Sequence, residues 1–282
     1  MSHSFLSVCQ KYGRMLSSVT EHPARDVRVL LGFLEQREPE FYFLHPDYAL
    51  SETVCKQLDG LIRRRLCHEP LSKIVGRREF YGRLFKVTAD TLDPRSDTET
   101  LIDAALKYQA TFPTPLRVID LGTGTGCILL TLLAEMSDAT GVAIDISEKA
   151  LAVARSNAVI CGVHDRVYFL QSDWLTELDP GEKFSLIVSN PPYIGTDEPL
   201  DPSVYAYDPH RALFSGENGL EAYLSFIPCL RNHLLPNGKV IVEFGRGQED
   251  TVRRLFEAHS FRCIEHFKDI NEIIRCAIFA YQ

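Results

Sequence analysis

No stretch of this chain holds the roughly 18 consecutive apolar residues that a membrane-spanning helix needs, so a bilayer protein is not expected. The opening Met1-Ser2-His3-Ser4-Phe5 lacks the charged-then-apolar pattern of an export signal, and a cytoplasmic location is expected. Eight cysteines are present (9, 55, 67, 127, 161, 229, 263, 276), never as Cys-x-x-Cys. Neither they nor the nine histidines fall at paired metal-ligand spacing. A disulfide scaffold and a metal centre are therefore not expected, and the cysteines read as reduced, mostly buried thiols. Thirty basic against 38 acidic residues leave a net charge of −8, unlike a surface built to grip phosphates, so no stable nucleic-acid complex is expected. Repeats and low-complexity tracts are lacking too.

What is present suits two domains in 282 residues, divided near residue 75. Before that point Phe5 to Leu16, Ala24 to Gln36 and Ser51 to Cys67 read as amphipathic helices, with one stripe at Leu30, Leu31 and Leu34. Val54, Leu58, Leu61 and Ile62 make another, and Ser51 stands as the cap. This bundle (1–75) holds no catalytic constellation and reads as a docking domain for a protein substrate. Lys73 to Lys86, with Arg77, Arg78 and Arg83 among Phe80, Tyr81 and Phe85, reads as a hairpin within a linker over 76–92. Its basic residues, like Arg63-Arg64-Arg65, read as a solvated face.

From residue 93 to 282 the pattern is that of a nucleotide-binding α/β sheet. Leu116 to Leu121 reads as a strand, runs through Gly122-Thr123-Gly124-Thr125-Gly126, and enters an apolar helix from Cys127 to Met136. A second strand, Thr140 to Ile144, ends at Asp145, about 20 residues past the glycines, where a carboxylate accepts the hydroxyls of a ribose. Cys127 stands where a dinucleotide fingerprint has its third glycine, and no Gly-Lys-Ser/Thr follows, so a pyrophosphate grip is absent. S-adenosylmethionine fits such a site: adenine, ribose and a sulfonium cation without phosphate. Val167 to Leu170 reads as a third strand leading to Asp173 and Trp174, candidates to accept the adenine amino group and cover its ring.

The most telling segment is Asn190-Pro191-Pro192-Tyr193, directly after the buried-strand run Ser185 to Ser189. Two prolines cannot extend a strand, so this is a rigid loop at a strand's carboxyl end. It offers an amide oxygen, backbone carbonyls and an aromatic plane, which suits a flat, uncharged NH2 group. Gly195 to Asn218 reads as a long loop walling the site, carrying Tyr207, Asp208 and Arg211. Gly219 to Leu235 reads as a helix bent at Pro228, Lys239 to Phe244 as a strand, Glu249 to Ala258 as a helix, and Ile273 to Phe279 as the closing strand.

Leu121 to Gly126, Asp145-Ile146-Ser147, Ser189 to Ile194 and Glu243-Phe244-Gly245 occur in order. So do Glu69-Pro70-Leu71, Glu79 to Gly82, Pro94-Arg95 through Thr98-Glu99, Tyr207-Asp208-Pro209 with Arg211, and Gly216 with Gly219. The ordered set resembles the glutamine N5-methyltransferases of peptide chain release factors across nearly the whole chain. The resemblance implies a Rossmann-like seven-stranded S-adenosylmethionine-dependent domain, a helical N-terminal bundle, and a β-hairpin between them. It implies as target the glutamine of the GGQ motif in release factors 1 and 2. Ser96 and Asp97 depart from the family pattern but suit a helix N-cap. Asp208 replaces a usual glutamate and shortens its reach. Sister enzymes acting on a large-subunit ribosomal protein, and adenine N6-methyltransferases, which hold a similar NH2 group, remain alternatives. A binding protein that keeps the pocket without catalysis is a third, disfavoured by intact Asn190 and Asp145.

An amide nitrogen is a weak nucleophile that no ordinary base deprotonates in advance. Asn190 Oδ1 and the Pro191 carbonyl are the candidate acceptors for its two N–H bonds, which strengthen as charge develops. Pro192 shapes the loop and Tyr193 stacks on the amide plane. Gly122, Thr123, Gly124, Thr125, Gly126, Asp145, Asp173, Trp174 and Asn190 are the candidate cofactor residues.

Overall fold

The computed structural model describes residues 3–282; Met1 and Ser2, which begin the segment read for an export signal, lie outside them. The chain forms two compact units, one running up to Gly76 and including Leu200–Tyr207, the other Arg77–Pro199 with Asp208–Gln282.

In the first unit, α1 (Phe5–Leu16) starts where the Ser4 hydroxyl accepts from Ser7 N, and buries Phe5, Val8, Tyr12 and Leu16 at helical spacing. Helix α2 (Pro23–Glu35) begins at a proline and buries Val27, Leu30 and Leu31. Helix α4 (Glu52–Leu66) is capped by Ser51 and buries Leu58 and Ile62. Between them lies α3 (Pro39–Leu44), and α5 (Leu71–Val75) stops at left-handed Gly76. A two-residue ladder joins β1 (His3–Ser4) to β2 (Ala49–Leu50).

Helix α5 corrects one expectation: Lys73 belongs to a helix, and the hairpin begins only at Arg77. Within the arginine triplet only Arg65 departs from the solvated face. Arg63 and Arg64 are exposed, Arg64 forking onto nearby Glu69. Arg65 Nε instead meets Asp26 Oδ2 at 2.8 Å, with both side chains nearly out of water, a partner 39 residues away that no local pattern shows. Asp26→Ala leaves the Arg65 charge uncompensated and is expected to cost about 3–5 kcal/mol, read as an earlier urea transition of the helical unit.

The second unit opens with the antiparallel hairpin β3 (Arg77–Phe80) and β4 (Arg83–Lys86). Phe80 and Phe85 are buried, while Arg77, Arg78 and Glu79 are all exposed, so β3 meets the core only at its Phe80 end. Residues Ser96–Thr98 form a 3₁₀ turn before α6 (Glu99–Tyr108). Neither Ser96 nor Asp97 caps it: Thr98 holds the cap position without a side-chain cap bond, and Asp97 turns instead to Arg275 at 2.8 Å.

The main sheet has seven strands: β5 (Arg117–Leu121), β6 (Thr140–Asp145), β7 (Val167–Gln171), β8 (Phe184–Ser189), β9 (Leu234–Glu243), β10 (Phe261–Lys268) and β11 (Ile274–Tyr281). Their order is β10-β11-β9-β8-β5-β6-β7, and β11 alone runs opposite to the others, pairing antiparallel with both β9 and β10. Buried residues on its two faces form separate clusters, one with α6 and α7 (Cys127–Glu135), the other with α10 (Glu221–Leu230) and α11 (Glu249–Ala258). Helix α8 (Glu148–Ile160) is capped by Ser147. Helix α10 is shorter than expected because Leu234 and Leu235 already belong to β9.

The long segment from Gly195 to Asn218 is not an open loop. It carries α9 (Pro202–Tyr207), a 3₁₀ turn at His210–Ala212, and a bridge between Ile194 and Phe214. The eight cysteines are unpaired, but only Cys127 and Cys276 are buried; Cys67 and Cys229 are exposed, against the expectation of mostly buried thiols. Among the described residues no helix is long and apolar enough to cross a membrane.

Candidate active site

Strand register assembles the site. Leu121 pairs with Ile144 on one side and Ser189 on the other, so the next residues, Gly122, Asp145 and Asn190, emerge side by side. This is the carboxyl edge where strand order reverses about β5, the place an open α/β sheet binds ligands. Gly122 N and Thr123 N both donate to Ile144 O, at 2.9 and 2.8 Å, which folds the glycine turn back over β6. Gly126 has φ +81°, and a Cβ there would meet Leu130 Cδ1 at 2.7 Å. Only glycine permits both that dihedral and the close packing of α7.

Asp145 Oδ2 accepts from Gly124 N and Oδ1 from Ser147 N, each at 2.9 Å. Both oxygens retain further lone pairs for ligand hydroxyls. Burial raises its pKa, opposed by these backbone donors and by Arg211. Beneath the turn, Asp120 Oδ2 accepts from Thr123 Oγ1 at 2.7 Å, while Oδ1 is buried without a partner among the described residues. Burial, opposed by the Thr123 bond and reinforced by Asp145, pushes Asp120 up to about 7. A cation over the turn would draw both carboxylates toward their ionised forms.

Gly122, Thr123, Gly124, Thr125 and Asn190 line one cleft together with Asp93, Arg95 and Thr98. Asp173 and Trp174 line a different cavity, beside Leu175, Leu178 and Phe226. Trp174 packs on Phe226 at 5.0 Å, yet its Cζ3 lies only 3.8 Å from where a Cβ on Gly122 would stand, so its ring also borders the turn.

Asn190 Nδ2 donates to Thr98 Oγ1 at 3.1 Å. Pro191 is buried, and Pro192 and Tyr193 are half-buried. The Tyr193 carbonyl accepts from Gln248 Nε2 at 2.9 Å, while Gln248 Oε1 accepts from Gly245 N. A Cβ on Gly219, whose φ is +72°, would lie 2.1 Å from that same carbonyl oxygen. Gly219→Ala is therefore expected to displace Tyr193 and lower turnover at this site at least tenfold while the unfolded fraction stays small. A rate assay beside a thermal melt separates these effects.

The two side chains that bond this loop, Thr98 and Gln248, are given no role by the sequence, whereas Arg95 and Asp208 stand among its motifs. Arg95 meets Asp208 at 3.0 Å, and Asp208 also accepts from Asp93 N at 3.3 Å, so the shorter acid still spans the gap. Tyr207, next along the chain, instead donates to the Cys67 carbonyl at 2.9 Å.

Two family models match the chain: the "PrmC N-terminal domain" over residues 8–76 and the "Methyltransferase small domain" over 95–200. A release factor glutamine methyltransferase of Cereibacter sphaeroides is 41% identical over 260 residues, covering 92% of this chain and 91% of that one. Its counterpart in Rhodospirillum rubrum is 39% identical over 267 residues, covering 94% and 81%. The hMettl16 catalytic domain, solved with a MAT2A 3'UTR hairpin, shares the fold at a TM-score of 0.57 and 12% identity, covering 89% of this chain and 91% of that one. This chain belongs to the release factor glutamine methyltransferase family, as an S-adenosylmethionine-dependent methyltransferase.

Proposed function

We propose that this enzyme transfers the methyl group of S-adenosylmethionine to the side-chain nitrogen, N5, of the glutamine in the GGQ motif of peptide chain release factors 1 and 2. The reading rests chiefly on one observation: Asn190 leaves β8 beside the glycine turn and Asp145, with its amide nitrogen already engaged by Thr98. That leaves Oδ1 as the end that meets an incoming N–H.

The cofactor reading rests on donor chemistry. Asp145 accepts ribose hydroxyls, and the Asp120–Asp145 pair favours a cation over a phosphate. The turn lacks the basic side chain that a pyrophosphate would call for. S-adenosylmethionine supplies an electrophilic methyl group on a sulfonium.

The chain's own residues then do three things. Asn190 Oδ1 and the Pro191 carbonyl hold the two N–H bonds, aligning the nitrogen lone pair with the methyl carbon. As the N–C bond forms and the S–C bond breaks, positive charge grows on nitrogen, and those two acceptors stabilise it. Tyr193 covers the amide plane and excludes water. The nitrogen then gives one proton to solvent water as the product is released, leaving a neutral methylamide and a neutral thioether.

Incubating the enzyme with labelled cofactor and release factor 1 or 2 tests this, with the GGQ glutamine substituted as control and ribosomal protein in parallel. Label that vanishes with the glutamine supports the reading. Label on the ribosomal protein alone, or on neither protein, overturns it.

A further inference from the structure

We propose that Arg275 is a positioning residue of this site: by clamping Asp97 it fixes the short turn that carries Thr98, and through Thr98 the Asn190 amide. The inference rests on the reading of Asn190 as the acceptor of the reacting N–H.

Arg275 stands where β11 departs from regular pairing. Phe267 pairs with Cys276, but the next residue of β10, Lys268, pairs with Ile274. One residue of β11 is left over, and it is Arg275. Such a β-bulge bends its strand and re-aims the extra side chain. The backbone of Arg275 stays anchored all the same, since its carbonyl accepts from Phe244 N at 2.8 Å, just past the end of β9. With its main chain fixed in the sheet and its side chain turned out of register, Arg275 is a rigid arm.

The arm grips two carboxylates. Its Nε donates to Asp269 Oδ2 and its Nη2 meets Asp97 Oδ2, each at 2.8 Å. Asp269 is buried, and its Oδ1 accepts from Asn271 N and Ile273 N at 2.8 and 3.0 Å, closing the turn between β10 and β11. A guanidinium is a planar fork, so a prong held by Asp269 fixes where the other one points. The other one meets Asp97, in the 3₁₀ turn Ser96–Thr98. The two side chains are only 18% and 30% exposed, which shields the pair from solvent and salt better than an open surface bridge.

That turn is where the clamp reaches the chemistry. Thr98 directly follows Asp97, is 3% exposed, and accepts through Oγ1 from Asn190 Nδ2 at 3.1 Å. Two residues before Asp97, Arg95 is tied to Asp208 at 3.0 Å, so ion pairs hold the segment at 95 and at 97. Among the described residues, the walls of the cleft include Arg95 and Thr98 but neither Asp97 nor Arg275. Arg275 therefore acts from behind. The 3₁₀ turn has no side-chain cap bond of its own, and 3₁₀ hydrogen bonds are poorly aligned. The ion pair, more than local propensity, sets where Thr98 stands. A displaced hydroxyl releases Nδ2, and the Asn190 amide is then free to turn over. Its two ends have nearly the same shape, and only the hydrogen-bond network distinguishes them. Turned over, it presents an NH2 group to the substrate amide, donor against donor.

Two variants and two readouts test this in the full-length enzyme. Asp97→Asn keeps the shape of the turn and leaves Arg275 on Asp269, whereas Arg275→Gln removes the arm itself. The first readout is the side-chain NH2 resonance of Asn190 in protein labelled at asparagine nitrogen, assigned with Asn190→Ala. Asn157 is the control: it is buried, and its Nδ2 donates to the Thr125 and Lys86 carbonyls at 2.9 and 3.0 Å. The Asn190 resonance is expected to move in both variants while that of Asn157 stays. The second readout is the single-turnover rate on release factor at saturating enzyme and cofactor. Each variant is expected to lower it about 10- to 100-fold, as loss of a group that orients a binding side chain does. Cofactor affinity by titration calorimetry is expected to stay within about threefold. The double variant is expected to be no slower than the slower single one, because both remove the same contact. An Asn190 resonance that stays put in both variants overturns the inference even where transfer to release factor succeeds. So does one that moves together with Asn157, which marks a loosened fold. Rate losses that multiply in the double variant, or a wild-type rate in Asp97→Asn, overturn it as well. An Asn190 resonance that moves alone, with no methylation of release factor by the wild type, upholds Arg275 and overturns the substrate reading instead.

Discussion

Asn190→Ala is expected to lower methyl transfer by about 10²–10³-fold while cofactor affinity changes only a few-fold. In the proposed mechanism the substitution removes the acceptor that strengthens as charge develops on the reacting nitrogen. Rate, more than ground-state binding, therefore carries the loss. It also removes the donor to Thr98. The surrounding core is untouched, because Pro191 and β8 still place the loop. Single-turnover methylation beside titration calorimetry reads the two quantities separately. A variant that methylates at the wild-type rate would sink the assignment of Asn190. One that loses cofactor and rate in equal measure would make it a cofactor residue only.

Asp145→Ala is expected to show the opposite division. The carboxylate bridges Gly124 N and Ser147 N, so its loss takes the proposed ribose acceptor and leaves two partly buried N–H groups unpaired. Each unpaired group costs about 1–3 kcal/mol. Together with the lost ribose bonds, this is expected to weaken cofactor binding by about 10² or more. Calorimetry measures the affinity, and a melt shows a lower transition. Asp145→Asn keeps one acceptor oxygen and is expected to fall between the two. Equal affinity for wild type and Asp145→Ala would remove the residue from the cofactor site.

The elements legible in the sequence were those with strong local chemistry. Helix α1 runs from Phe5 to Leu16 as its apolar spacing indicates, and Ser51 caps α4 through Val54 N. The strands feeding the glycine turn and the Asn190 loop were legible because fully buried strands are continuous apolar runs. Helix α3 is six residues and α5 is five, too short for a periodic stripe, and only Pro39 and Gly76 mark them. Helices α6 and α8 went unread although Glu99 and Glu148 sit in their first turns. Asp97 looked like a cap because a carboxylate before a helix usually is one, yet the Arg275 charge 178 residues away outbids a neutral N–H.

By itself, the sequence determined the nucleotide-binding sheet, the glycine turn with its acidic partner, and the rigid Asn190-Pro191-Pro192-Tyr193 loop. Each is a short segment whose backbone is dictated by glycine, proline or a buried apolar run. Tertiary structure alone decided how those segments act together. It set Gly122, Asp145 and Asn190 on one edge through strand register, and brought Thr98 behind Asn190. It also paired Arg65 with Asp26 and Arg95 with Asp208. Burial, charge partner and hydrogen-bond direction are properties of a residue's surroundings. For these residues the surroundings come from tens to more than a hundred positions away, where no local pattern can encode them.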